Sequence, residues 1–189
     1  MTNMKLFFVD SDTLMGYGAK FFGKIKTGSA KFTHCGFIID DILTVEALLR
    51  GVRSRDFKKV YAKSRIIVFK LPGIPGENHE KLRIELQTMV GKLTSLYGFF
   101  RLPFQMGDAI VSYFRKKPTF FFTKIFKSKW FPICSYLVGW CLYKYGNVTL
   151  KALFKLWRSL SPDDIIDIII KYPTHFPIDT ALSTVNISS

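Results

Sequence analysis

Cys134 opens the run Cys134-Ser135-Tyr136-Leu137-Val138-Gly139-Trp140-Cys141-Leu142, in which Leu137, Val138, Cys141, Leu142 and Tyr145 recur at the spacing of one helical face. Pro132 suits the start of that helix, where a missing N–H is no loss. Gly146 suits a left-handed stop at its end. Cys134 then falls in the first turn, where unpaired backbone N–H groups and the helix dipole favour a thiolate. It also falls on the buried side. A cysteine so placed is either a small core hydrophobe or a nucleophile aimed at a partner.

A nucleophilic thiol needs a base, and the base needs a group that fixes its tautomer. The chain holds three histidines, His34, His79 and His175. His79 lies among charged residues and is expected to be exposed. His34 lies in a segment, residues 31–39, that alternates as a strand: Phe32, His34, Gly36 and Ile38 on one face, Thr33, Cys35, Phe37 and Ile39 on the other. Asp40-Asp41 signals a turn, and residues 43–48 return as a second strand. A three-residue loop from Ile39 to Asp41 sets His34 directly opposite Glu46, whereas a two-residue loop puts them on opposite faces. On the strand alone, a core histidine with a satisfied hydrogen bond is the default. With a cysteine helix packed nearby, His34 becomes the base and Glu46 its orienter.

The elements that must position these groups fit one domain. The chain has 189 residues, 48% hydrophobic and 16% aromatic, with 19 Phe. Its 28 Lys and Arg against 14 Asp and Glu give a net charge of +14, which favours an anionic partner such as a membrane surface or nucleic acid. The three cysteines, Cys35, Cys134 and Cys141, match neither a zinc site nor a disulfide framework, so free thiols and no metal or cofactor are expected. Cys141, two turns after Cys134 on the same face, is expected only to pack. The N-terminus lacks a signal-peptide core, and no uncharged run reaches membrane-spanning length. A cytoplasmic protein, soluble or peripheral at a membrane, is the expectation.

Along the chain, residues 6–9 read as a strand, 14–26 as loop and short helix, and 66–71 as a further strand. Residues 50–70 carry eight basic residues and only Asp56 as an acid, which we read as a solvated face. A helix is predicted over 78–97, capped by Asn78, with Leu82, Leu86, Met89, Leu93 and Leu96 inward. Residues 97–131, with an insertion expected over about 98–131, interleave aromatic and basic side chains. This suits a membrane interface, single-stranded nucleic acid, or rings packed onto the core; no nucleic-acid-binding motif accompanies it. A short basic helix is expected over 150–160. Ser161-Pro162-Asp163-Asp164 then reads as a strong helix start. The domain spans 1–179, followed by a polar tail, 180–189.

These residues carry a resemblance. Thr33-His34-Cys35-Gly36-Phe37-Ile38-Ile39, then Val45-Glu46-Ala47 and Gly51-Val52, resemble the His-x-Gly, Glu-Ala and Gly-Val elements of permuted papain-like enzymes. Ile133-Cys134-Ser135-Tyr136-Leu137-Val138 is similar to their Cys-Ser-Glu-Leu-Val nucleophile helix, Ser161-Pro162-Asp163-Asp164-Ile165 to their closing element, and Asp10 to Leu14 to their opening one. The pattern, in order from near residue 10 to residue 165, is that of the YiiX/YaeF-like, circularly permuted branch of the NlpC-type superfamily, akin to lecithin:retinol acyltransferase. Tyr136 departs from it where Glu is common, and Gly98 where Asp is common after tyrosine.

The resemblance implies an α+β, permuted papain-like fold: an antiparallel sheet bearing His34 and Glu46, packed against the helix of the nucleophile Cys134. It implies a thiol hydrolase or acyltransferase working through an acyl-enzyme on amide or acyl bonds of peptidoglycan peptides or lipids. The Cys134 backbone N–H would serve the oxyanion, and Ser135 and Tyr97 are further candidates for the oxyanion or substrate. Two readings stand beside it: a catalytically silent papain-like interaction module, and a basic membrane- or nucleic-acid-binding protein in which Cys134 only packs.

Overall fold

The structure, a computed structural model, describes residues 4–10, 32–48, 51–91, 107, 111, 114, 115, 134–155, 157, 160 and 162–184. The expected loop over 14–26, the site candidate Tyr97 and all but four residues of the aromatic–basic stretch lie outside them.

The described residues form an α+β fold. Five strands, β1 (Met4–Asp10), β2 (His34–Ile39), β3 (Leu43–Leu48), β4 (Gly51–Asp56) and β5 (Arg65–Lys70), make one antiparallel sheet in the order β4-β3-β2-β1-β5. Helix α1 (Phe57–Tyr61) separates β4 from β5; α2 (Gly76–Met89), α3 (Cys134–Tyr145), α4 (Val148–Leu153) and α5 (Pro162–Lys171) follow.

Both faces of the sheet are covered, which is why β1 and β5 read as continuous apolar runs rather than alternating ones. On one face Leu6, Phe8, Cys35, Phe37, Val45 and Ala47 meet Leu82 and Leu86 of α2, Leu137, Val138, Cys141 and Leu142 of α3, and Ile165 and Ile169 of α5. On the other, Phe7, Val9, Ile38, Ile66 and Val68 are covered by Phe57 and Tyr61 of α1. Of the positions expected inward on α3, Leu137, Val138, Cys141, Leu142 and Tyr145 are buried and Cys134 is half-buried; Ser135, Tyr136 and Gly139 are buried as well, while Tyr143 and Lys144 stand exposed. The apolar face is therefore wider than the sequence stripe, and it carries the first residue, Cys134, against the core at β2.

The hairpin register differs from the one the sequence suggested. Ile39 pairs with Leu43 and Phe37 with Val45, so the loop is Asp40-Asp41-Ile42. Asp40 and Asp41 have φ of 52° and 59°, and Ile42 N–H donates to Ile39 O at 3.2 Å, a turn of the kind that matches strand twist. The pairing slips by two residues, which preserves the faces: His34 and Glu46 remain on one side, now diagonal rather than opposite. Buried Lys5 holds this turn, ion-paired to Asp41 at 2.6 Å and to Asp179 at 2.7 Å.

Several element ends move for identifiable reasons. Gly146 is absent from the glycines of positive φ; a Cβ there would lie 2.4 Å from both Leu142 O and Leu150 Cβ, so close packing rather than a left-handed stop requires it. Helix α2 begins at Gly76, and Asn78 does not cap it; its Nδ2 donates instead to Tyr145 O at 3.0 Å, tying α2 to the end of α3. The basic helix begins earlier than expected, as α4, capped by Asn147, whose side chain accepts from Leu150 N–H. The polar end of the chain is held as far as Thr184. Asp179 N–H donates to Val68 O, Val68 N–H to Ser183 Oγ and Ile66 N–H to Thr184 Oγ1, closing the outer edge of β5. No helix among the described residues is long and apolar enough to cross a membrane.

Candidate functional site

Cys134 and His34 reach each other from opposite sides of the sheet. Cys134 is the first residue of α3, which packs on the Cys35 and Phe37 side of β2. His34 is the first residue of β2 and lies on the other side, its ring edge-on to Phe7 at 6.2 Å between centroids. The two meet at the end of the strand, close enough that each stabilises the other's charged form. The incoming chain is pinned there: Thr33 N–H donates to Val9 O, and Phe32 N–H donates to the buried Asp163 Oδ1 at 3.0 Å. Asp163 was expected to serve the dipole of its own helix. It lies in the first turn of α5 and also anchors the entry to the histidine strand.

Glu46 completes the arrangement. His34 Nε2 lies 2.6 Å from Glu46 Oε2, which leaves Nδ1 for the thiol. Glu46 is fully buried and its two oxygens are saturated. Oε2 also accepts from Tyr61 Oη, while Oε1 accepts from Thr44 Oγ1 at 2.8 Å and from Arg55 Nε and Nη2 at 3.0 and 2.9 Å. Gly36 makes room for the pair. A Cβ there would lie 2.8 Å from Phe7 Cε1 and 2.9 Å from Glu46 Cβ.

The electrostatics follow from this. Burial alone would raise the Glu46 carboxyl, but the His34 and Tyr61 hydrogen bonds and the Arg55 charge hold it at about 2. Burial would likewise discharge His34, yet Cys134 and Glu46 outweigh it and push the imidazolium up to about 10. The hydrogen bond from the Cys35 side chain lowers the Cys134 thiol most. Burial opposes it, and the His34 charge, a His34 hydrogen bond and the Cys35 backbone hold the thiol well below its ordinary value. The favoured state at neutral pH is a thiolate–imidazolium pair, the nucleophilic form of a thiol. Burial pushes Cys35 and Cys141 well up, so both stay thiols.

Of the candidates read from the sequence, the structure brings Cys134, His34 and Glu46 together. Ser135 is buried beside Cys134, its Oγ without a hydrogen-bond partner among the described residues. His79, expected to be exposed, is half-buried in the first turn of α2. Sequence reasoning missed Arg55, Tyr61, Thr44 and Cys35. Arg55 lay within a basic run read as solvated, and Arg53, Lys58, Lys59, Lys63 and Arg65 do stand exposed. The alternation of Arg53 and Arg55 with Val52 and Ser54, directly after Glu46-Ala47-Leu48, was the available signal for a third hairpin strand. No group of three or more His, Cys, Asp or Glu among the described residues is placed to hold a metal ion. Comparison of the chain with protein-family models, with curated proteins and with solved structures finds no match.

Proposed function

We propose that this chain is a thiol hydrolase or acyltransferase of the permuted papain-like kind, acting on amide or acyl bonds through a covalent acyl-enzyme. The observation that carries the reading is the contact of a helix-terminal Cys134 with His34, itself tied through Nε2 to the buried Glu46 carboxylate. The Cys134 thiolate attacks the acyl carbon, and the carbonyl electrons move onto oxygen, where backbone N–H groups at the start of α3 receive the charge. Collapse of the adduct expels the amine or alcohol, which takes the proton of His34, leaving a thioester on Cys134 and a neutral imidazole. Water or an acceptor hydroxyl then attacks the thioester, giving a proton of its own to His34, and the thiolate leaves and is regenerated beside the imidazolium. Glu46 keeps the ring oriented throughout and stays ionised.

Peptidoglycan peptides and lipids are the substrate classes in keeping with the sequence resemblance. A net charge of +14, with the exposed cations around α1, suits a substrate carried on an anionic surface. The test is acyl trapping. The protein is mixed with p-nitrophenyl esters of short and long acyl chains, quenched in acid and weighed intact. One acyl group on Cys134, absent in Cys134→Ala and slowed at least about 100-fold in His34→Ala, is expected. No adduct on Cys134 with any ester overturns the reading.

A further inference from the structure

We infer that Arg55 and Tyr61 are positioning residues of the Cys134–His34 pair, acting through Glu46: together they assign one carboxylate oxygen to the histidine, and Arg55 offsets the net negative charge of the three groups. The inference rests on the thiolate–imidazolium reading above and extends it to two residues outside the triad.

The first argument is the division of oxygens. A carboxylate offers two equivalent oxygens with about four acceptor sites, and a buried one is free to rotate between partners unless each oxygen is claimed. Here Arg55 claims Oε1 with two N–H groups, at 3.0 and 2.9 Å, and Thr44 adds a third donor at 2.8 Å. Oε2 is left for His34 Nε2, with the Tyr61 hydroxyl as its second donor. Arg55 and Tyr61 also brace one another, Arg55 Nη2 lying 3.2 Å from Tyr61 Oη and the guanidinium 5.7 Å from the centre of the phenol ring. Both come from elements after the hairpin, so β4 and α1 fold back to fix a side chain of β3.

The second argument is charge. Thiolate, imidazolium and carboxylate sum to one negative charge inside a covered site. Arg55 brings the sum to zero in an alternating row: Cys134, His34, Glu46, Arg55. The other polar groups facing this row are the neutral Tyr61 hydroxyl from α1, Thr44 hydroxyl from β3 and Cys35 thiol from β2, together with the buried Asp163 carboxylate of α5, whose negative charge reaches Cys35 and adds to the need for a cation. Arg53, opposite Glu46 on β4, is exposed. Removing Arg55 therefore leaves a net negative site, which disfavours the thiolate and favours the imidazolium. Both apparent pKa values move up. Removing only the Tyr61 hydroxyl leaves Glu46 Oε2 less damped and moves both in the same direction by less.

The experiment measures the pH dependence of Cys134 alkylation by iodoacetamide in the full chain, and the pH titration of the His34 Cε1–H resonance, for native protein, Arg55→Gln, Arg55→Lys and Tyr61→Phe. The expected result is an upward shift of both midpoints by about one unit in Arg55→Gln, a smaller upward shift in Tyr61→Phe, and return toward the native midpoints in Arg55→Lys. Urea unfolding midpoints are measured alongside. Variants that unfold more easily while both midpoints stay in place would mean a structural role only, and would overturn the inference. Tyr61→Phe keeps the test open if Arg55→Gln does not fold. A native Cys134 that alkylates like an ordinary thiol defeats the underlying thiolate reading instead, so the two failures are told apart.

Discussion

Glu46 reaches His34 on a diagonal across β2 and β3, over a glycine. Continuing the observed register from Phe37 and Val45 places Gly36 opposite Glu46, and the 2.6 Å contact from Glu46 Oε2 to His34 Nε2 passes along the strand. The diagonal is available because nothing projects from position 36, where a methyl group would press on both the Phe7 ring and Glu46 Cβ. Gly36→Ala is expected to destabilise the protein by about 1–3 kcal/mol through overpacking and to slow alkylation of Cys134 at neutral pH. Chemical denaturation and a timed labelling series measure the two effects separately. An alanine variant of native stability and native labelling rate would show that the hairpin slides to accommodate it.

The ion pair sets a pH signature. With the Cys134 thiol held low and His34 pushed up to about 10, alkylation is expected to be fast and nearly flat from pH 6 to 8, where an ordinary thiol gains about tenfold per unit. His34→Ala restores the steep rise. Stability has its own window. Glu46, lowered from 4.5 to about 2, contributes stability that is complete above 4.5 and lost as pH falls through about 2. His34, raised from 6.5 to about 10, contributes stability that is complete below 6.5 and lost as pH rises through about 10. Cys134, lowered from 9.0, has the opposite window: its contribution is complete above 9 and lost as pH falls through its folded value, so it offsets the His34 loss between 6.5 and 9. Unfolding free energies across pH 3 to 10 should therefore be highest between about pH 6.5 and 9 in the native protein, and the fall above that should flatten in His34→Ala.

Local patterns carried much of this into the sequence. The period of Leu137, Val138, Cys141 and Leu142 revealed α3, and the short run from His34 to Ile39, bounded by Asp40-Asp41, revealed β2, although β2 is buried on both faces. The parity of the hairpin was legible too, so His34 and Glu46 fell on one face even though the register was off by two. That offset depended on two consecutive aspartates adopting positive φ, a preference that Asp40 and Asp41 do not advertise as glycine would. Arg55 was not legible for a different reason: charged residues are read as solvated by default, and only the fold shows that one of them meets a buried carboxylate. The capping of Phe32 N–H by Asp163 joins residues 131 positions apart, and no local window contains it.

Cys35 is expected to matter to Cys134 without being the nucleophile. Its side chain supplies the largest of the contributions that lower the Cys134 thiol, while its own thiol is kept protonated by burial. Cys35→Ala removes that donor but keeps the backbone N–H, so the alkylation midpoint of Cys134 should rise. Cys35→Ser keeps a hydroxyl donor and should rise less. Cys141→Ala, far from the pair on the same helix face, should leave the midpoint where it is and cost only packing. Identical midpoints in all three variants would assign the lowering to His34 and the helix terminus alone.

Asp163 tests whether the entry to β2 is part of the site. Its Oδ1 takes the N–H of Phe32, two residues before His34, and the contact is buried. Asp163→Ala leaves that N–H without an acceptor, at an expected cost of about 1–3 kcal/mol, and frees the segment that delivers His34 to Cys134. Asp163→Asn keeps a carbonyl acceptor and loses the charge, so it should recover most of the stability. If the contact acts only on stability, alkylation of folded Asp163→Ala at neutral pH should match the native rate. If it holds the histidine in place, the rate should fall in the alanine variant and return in the asparagine one. We expect the second pattern, because the strand begins at His34 itself and this bond, with the Thr33 contacts to Val9 O and the packing of Phe32 edge-on to Phe8, ties the two residues ahead of it to the core.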